Sequence, residues 1–188
     1  MAKFDIWVRH IMDRETKRLI SGVAPETKDV CEVSGSVWAD IFPWKSYTTL
    51  AYPEFDVCLH KFPQKFDLII VEQVFEHLRY PWRAIQNIFD WLNPDGHVLI
   101  TVPFLFHIHP TPLDCWRWTP QGLGFMLEDG GFRSDEIITG GWGNYECFLR
   151  HAIDQTSAPA MNSQFSLENI PHIPMMVWAF GHKRPETP

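Results

Sequence analysis

Apolar residues recur at Phe4, Trp7, Val8 and Ile11, the i, i+3, i+4, i+7 stripe of an amphipathic helix running to about Ile20. SGVAPET (21–27) breaks that pattern, and DVCEV (29–33) then reads as a short buried strand followed at once by SGS. Between Phe42 and Pro63 the pattern is interrupted by prolines; SYTTLAY (46–52) has strand character and PEFDVCL (53–59) reads as a further short strand. FDLIIV (66–71), uncharged after Asp67, is a clear buried strand. Pro81 suits a first helical turn, and Trp82, Ile85, Ile88, Phe89 and Leu92 continue that helix. NPDG (93–96) signals a turn before the buried strand HVLITVPF (97–104). After the loop LFHIHPTPLDCWRW, Thr119 and Pro120 supply an N-cap and a first helical residue. Leu123, Met126 and Leu127 form that helix's inner face, and Gly130-Gly131 end it. Strands around 132–139 and at MMVWAFG (175–181) complete the pattern, with GGWGNYE (140–146) as a tight turn and 150–174 without readable periodicity.

Strands alternating with helices predict an α/β fold with helices on both faces of a mostly parallel, doubly wound sheet. In such sheets ligands bind beyond the carboxyl ends of the strands. VEQVFEHL (71–78) stands at such an end: it follows a dry strand and carries Glu72, Gln73, Glu76 and His77 within a few residues. The chain's 188 residues fit one domain, which would bury roughly 70 % of its unfolded surface. Within it, 1–27 reads as an N-terminal helix and linker, 28–139 as the core and 140–188 as an irregular segment with the last strand.

Charge and cysteine usage narrow the classes. A net charge of −7 without a basic stripe argues against nucleic acid as partner. The four cysteines, at 31, 58, 115 and 147, show no C-x-x-C spacing, so a disulfide framework or zinc knuckle is not expected and a cytoplasmic location is. Nothing approaches the roughly 20 apolar residues of a membrane span. Aromatic residues reach 14 %, which fits an aromatic core, an aromatic-lined pocket or both.

EVSGS (32–36) places a carboxylate at a strand end before small residues, a turn able to pass close to a ligand, although such turns are common. Set beside FDLIIVEQVFEHL, Pro81, LNPDGHVLITVPF, the series His109, Pro112, Asp114, Arg117 and Thr119, and Gly131-Phe132, it acquires a context. In that order and spacing the chain resembles the class I S-adenosylmethionine-dependent methyltransferases over residues 28–139, most specifically over 66–103. The resemblance implies a seven-stranded sheet with an antiparallel last strand and S-adenosyl-L-methionine as cofactor. It would place Glu32, Ser34, Gly35 and Ser36 at the methionyl end, Val71, Glu72 and Gln73 beneath the cofactor, and Cys58 and Leu59 near the adenine. The chain also departs from the family. Its turn has one glycine and two serines where the family is glycine-rich, and the acid expected after the second strand, for the ribose hydroxyls, aligns with Ala51, leaving Glu54 or Asp56 to substitute.

A sulfonium methyl is already activated, so the protein's task is to align an acceptor and exclude water. His77 is the candidate base, against the alternative that it caps or packs the turn. Glu76 is expected to anchor the loop through backbone amides. Of the other candidates, His109, Asp114 and Arg117 either contact substrate or form a hydrogen-bonded loop in which Asp114 pairs with Arg117 or orients His109. His107, His109 and Asp114 make an incomplete metal set that would need His77 or Glu72, and no metal is expected. The expected function is methylation of a small molecule or glycan at oxygen or nitrogen. The competing reading is a degenerate methyltransferase fold serving as a partner subunit, which a crevice filled by its own side chains would favour. Lacking an inserted cap, the acceptor site would be open unless 150–174 or a second copy, as in a homodimer, closed it.

Overall fold

A computed structural model describes residues 6–153 and 160–185. Helix α1 (Trp7–Ser21) precedes strands β1 (Asp29–Val33), β2 (Ser46–Leu50) and β3 (Phe66–Glu72); helix α2 (Pro81–Trp91) leads into β4 (Leu92–Pro103). Then come α3 (Pro120–Asp129), β5 (Ile137–Trp142), α4 (Tyr145–Ile153) and β6 (Met176–His182). The sheet has six strands in the order β2-β1-β3-β4-β6-β5, with β1 to β4 parallel and β6 antiparallel to both neighbours.

Side chains alternate across a strand, so each buried strand feeds two cores. Cys31, Val33, Ile69, Val71, Val98, Ile100, Val177 and Ala179 meet α2 and α3 on one face. Val30, Leu68, Ile70, Leu99, Met176, Trp178 and Phe180 meet α1 on the other, where Trp7, Val8, Ile11, Met12, Leu19 and Ile20 form the predicted stripe. Phe4, assigned to the same stripe, lies outside the described residues.

The structure corrects the sequence reading at several points. PEFDVCL is turned rather than extended, with the Phe55 amide bonded to the Ala51 carbonyl and the Leu59 and His60 amides to that of Asp56, so the expected seventh strand is absent among the described residues. NPDG does not precede β4 but lies within it; Asp95 takes a positive φ of 68°, and the pairing with β3 shifts register between Phe66 and Leu68. The strand expected near 132–139 starts at Ile137 and continues through Gly140 and Gly141, because a Cβ at Gly140 would stand 2.5 Å from the Trp178 ring. GGWGNYE is therefore strand followed by the start of α4, and the unplaced stretch begins with helix, its residues 154–159 lying outside the described ones.

Candidate active site

Val33 pairs with Val71 in the parallel β1–β3 ladder, so the loops after the two strands leave the sheet side by side at its carboxyl end. Each turns at once through a left-handed residue, Ser34 at φ 60° and Gln73 at φ 54°. Such conformations are costly outside glycine and gather at functional sites. Between them opens a cavity of about 630 Å³. Ser34, Asp56, Cys58, Leu59, Gln73 and His77 of the predicted set line it, together with the rings of Tyr52, Phe55 and Tyr80.

The other predicted residues lie outside the lining, for reasons visible in their bonds. Glu32 is buried beneath its own loop: its carboxylate accepts the Val37 amide at 3.1 Å, the Trp38 amide at 3.0 Å and the Tyr47 hydroxyl. Gly35 rests against that carboxylate, where a Cβ would lie 2.2 Å from Oε1. Glu32 thus shapes the loop holding Gly35 and Ser36, and its carboxylate faces loop amides where a ligand donor was expected. Glu72 is likewise turned toward α1, paired with Arg9 and accepting the Trp38 indole N–H at 2.6 Å, while Val71 is core. Burial and the bond to Glu32 raise the Tyr47 hydroxyl far above its ordinary range. Between the alternative acids, Asp56 lines the cavity and Glu54 points to solvent; Asp56 Oδ1 accepts the Cys58 amide at 2.8 Å. Burial pushes the Cys58 thiol up to about 11, so it remains a neutral group.

The loop after β4 folds back over the turn after β3. Cys115 and Trp116 donate their amides to the Glu76 carbonyl at 2.7 and 3.2 Å. Asp114 accepts the His109 amide at 2.7 Å and an Arg117 guanidinium N–H at 2.8 Å, and Arg117 also donates to the His107 carbonyl at 3.0 Å. The Arg117 bond holds the Asp114 carboxyl down at about 2. Asp114 and Arg117 therefore brace the loop and do not face the cavity, whereas its tip, Thr111 to Leu113, does. His107 bonds His151 at 2.9 Å and takes no part in a set with Asp114.

Glu76 is the residue whose role the sequence concealed. Its carboxylate, expected to meet backbone amides, is fully buried and accepts no hydrogen bond from any other described residue. Burial raises it to about 7, opposed by its own amide and the Arg117 charge. Its Oε1 lies 3.7 Å from His77 Nε2 and 4.0 Å from His109 Nε2.

Comparison with known proteins identifies this frame. A family profile described as a methyltransferase domain matches residues 7–130, from the start of α1 to the end of α3. The chain belongs to that family, the class I S-adenosylmethionine-dependent methyltransferases. The (S)-coclaurine N-methyltransferase of Thalictrum flavum subsp. glaucum is 29 % identical over 65 residues, 32 % of this chain and 18 % of that one. An S-adenosylmethionine-dependent methyltransferase from Archaeoglobus fulgidus superposes with a TM-score of 0.60 at 12 % identity, covering 93 % of this chain and 94 % of the other. Haemonchus contortus phosphoethanolamine N-methyltransferase 2, solved with S-adenosyl-L-methionine, gives 0.56 at 14 % identity over 92 % of this chain and 53 % of its own. The chain thus spans under a fifth of the curated relative and about half of the Haemonchus enzyme, and at such identities the structural likeness speaks for the fold.

Proposed function

We propose that the chain transfers the methyl group of S-adenosylmethionine to a small-molecule or glycan acceptor at the carboxyl end of its sheet. The carrying observation is the open 630 Å³ cavity between the loops after β1 and β3, within the roughly 300–1,000 Å³ of small-ligand sites. It is concave, walled by rings suited to a nucleoside, and has Asp56, Ser34 and Gln73 as its polar groups. When bound, the cofactor supplies an already activated methyl. The chain's own residues would do the rest. Asp56 would accept the ribose hydroxyls, the backbone at Ser34 and Gln73 would border the methionyl end, and the Thr111–Leu113 loop tip with His77 would orient the acceptor and exclude water. For a hydroxyl acceptor, the His77 ring at the cavity wall would take the proton on Nε2, the nitrogen 3.7 Å from Glu76 Oε1. The net charge of −7 disfavours a polyanionic acceptor, and the small-molecule names of the plant and nematode relatives support the acceptor class.

Isothermal calorimetry with S-adenosylhomocysteine tests the reading. One equivalent should bind, and Asp56→Ala should weaken it about tenfold or more, the loss of a charge-assisted hydrogen bond. Absence of heat and of thermal shift with both cofactor and product would leave the partner-subunit reading. The buried, amide-bonded Glu32 and the glycine-poor turn are the features in that reading's favour.

A further inference from the structure

Two imidazoles and a carboxylate converge beside the cavity from turns that the fold brings together. The ligand atoms of Glu76, His77 and His109 all lie within 4.8 Å of one another, and the two rings stand 5.1 Å apart and nearly perpendicular. The hydrogen bonds on the far side of each ring decide which nitrogens face inward. His77 Nδ1 bonds the Leu113 carbonyl. His109 Nδ1 meets the His107 carbonyl at 3.2 Å and the Asp114 carboxylate at 3.4 Å. A carbonyl only accepts, so each Nδ1 carries the hydrogen, and in the neutral ring each Nε2 is left as a lone pair. Both Nε2 atoms lie within 4.0 Å of Glu76 Oε1, itself an acceptor without a donor from any other described residue. With Glu76 deprotonated, three acceptors converge on one point, an arrangement that a positive charge between them would satisfy.

We propose that Glu76, His77 and His109 form a binding site for a divalent first-row transition-metal cation of the zinc class. Two imidazole nitrogens and one carboxylate oxygen are the donor set of open catalytic sites, and imidazole selects against magnesium and calcium. Histidine N–H groups fixed by a carbonyl and by a carboxylate are the outer shell that orients metal-ligating rings. Bonds of roughly 2.0–2.1 Å require donor separations of about 3.3 Å, so the 3.7 and 4.0 Å gaps must close by less than about 1 Å. The histidines retain 15 % and 30 % side-chain exposure, which leaves them that freedom and gives a cation a route in. Asp114, braced by Arg117, becomes a positioning residue behind His109. The set differs from the one the sequence suggested: Glu76 takes the place offered to His107 and Asp114. With a cation bound, His77 Nε2 is a ligand and no longer a free base, and an acceptor hydroxyl reaching the cation would be acidified instead. The binding claim stands whether or not the chain transfers methyl groups, since cofactor titration is a separate measurement.

The test uses the full chain without a histidine tag, stripped with chelator and titrated with Co(II) alone. Wild type should take up one equivalent and develop visible ligand-field absorption that equimolar Zn(II) abolishes. Glu76→Gln keeps the shape of the buried side chain, and His109→Ala truncates a partly exposed ring; each should lose the absorption while still melting cooperatively. Should Glu76→Gln fail to fold, His109→Ala carries the comparison. No absorption with wild type, or absorption retained in a folded variant, overturns the site.

Discussion

Two histidine clusters occupy opposite ends of the sheet, and their chemistry differs in kind. At the amino end of β4, His182 donates toward Glu136 and Asp95, each at 2.7 Å, while His97 stacks on it at 4.6 Å. Burial would lower His182, but its bonds to Glu136 and Asp95 outweigh that and raise it above 6.5. Burial, and then the neighbouring His182 charge, push His97 down to about 4. His182 meets a carboxylate at each ring nitrogen, the arrangement of a structural network, and His97 beside it is kept neutral with its Nδ1 buried and unbonded. At the carboxyl end, Glu76 and two imidazole nitrogens face one another as acceptors. Satisfied polar groups hold a fold together, whereas unsatisfied buried ones mark the place kept for a ligand or a proton.

The largest effect expected from this contrast is a pH dependence of stability in chelated protein. Between pH 4.5 and about 7 the folded state holds a proton on Glu76 that the unfolded chain has lost. Stability therefore falls as pH rises through that window, by about 3 kcal/mol, and levels off above it. Urea melts of Glu76→Gln should show this slope removed; an unchanged slope would mean that the carboxyl is solvated after all. Next in size is Asp114→Ala, which strips Arg117 and the His109 amide of their partner. It should cost about 2 kcal/mol, a drop in Tm of roughly 4–8 °C by calorimetry. Wild-type stability within error would make the brace ornamental. The smallest change is expected at the other end. The His182 contribution is complete below pH 6.5 and is lost as pH rises through its elevated folded value. His182→Ala should remove under roughly 1 kcal/mol, all of it at the acid side of that transition, as expected for a partly exposed network.

How far the sequence revealed all this depends on distance along the chain. The stripe of α1, the strands β1, β3 and β6 and the inner face of α3 follow from local periodicity, and the parallel pairing of β1 with β3 places the crevice where the resemblance put it. The turned segment after β2 and the internal bulge of β4 escaped because proline and aspartate there set backbone bonds that composition does not reveal. Helix α4 was hidden behind a glycine pair that belongs to β5. Within the site, Cys58 and Gln73 came from the family resemblance and Asp56 only as an alternative to Glu54 that spacing could not decide; with His77, all three line the cavity. The diversion of Glu32 into its own loop and of Glu72 toward α1 was not legible, since Trp38, Tyr47 and Arg9 reach them only through the fold. Glu76 and His109 stand far apart in sequence and meet because the Cys115 and Trp116 amides fasten one turn to the other.

Arg9 links the first helix to Glu72, and through the Trp38 indole on that same carboxylate the link continues into the turn after β1. The opening helix is consequently a strut beneath both rims of the crevice. A chain trimmed to begin after Ser21 would retain every strand yet lose the prop that sets how far apart those rims stand.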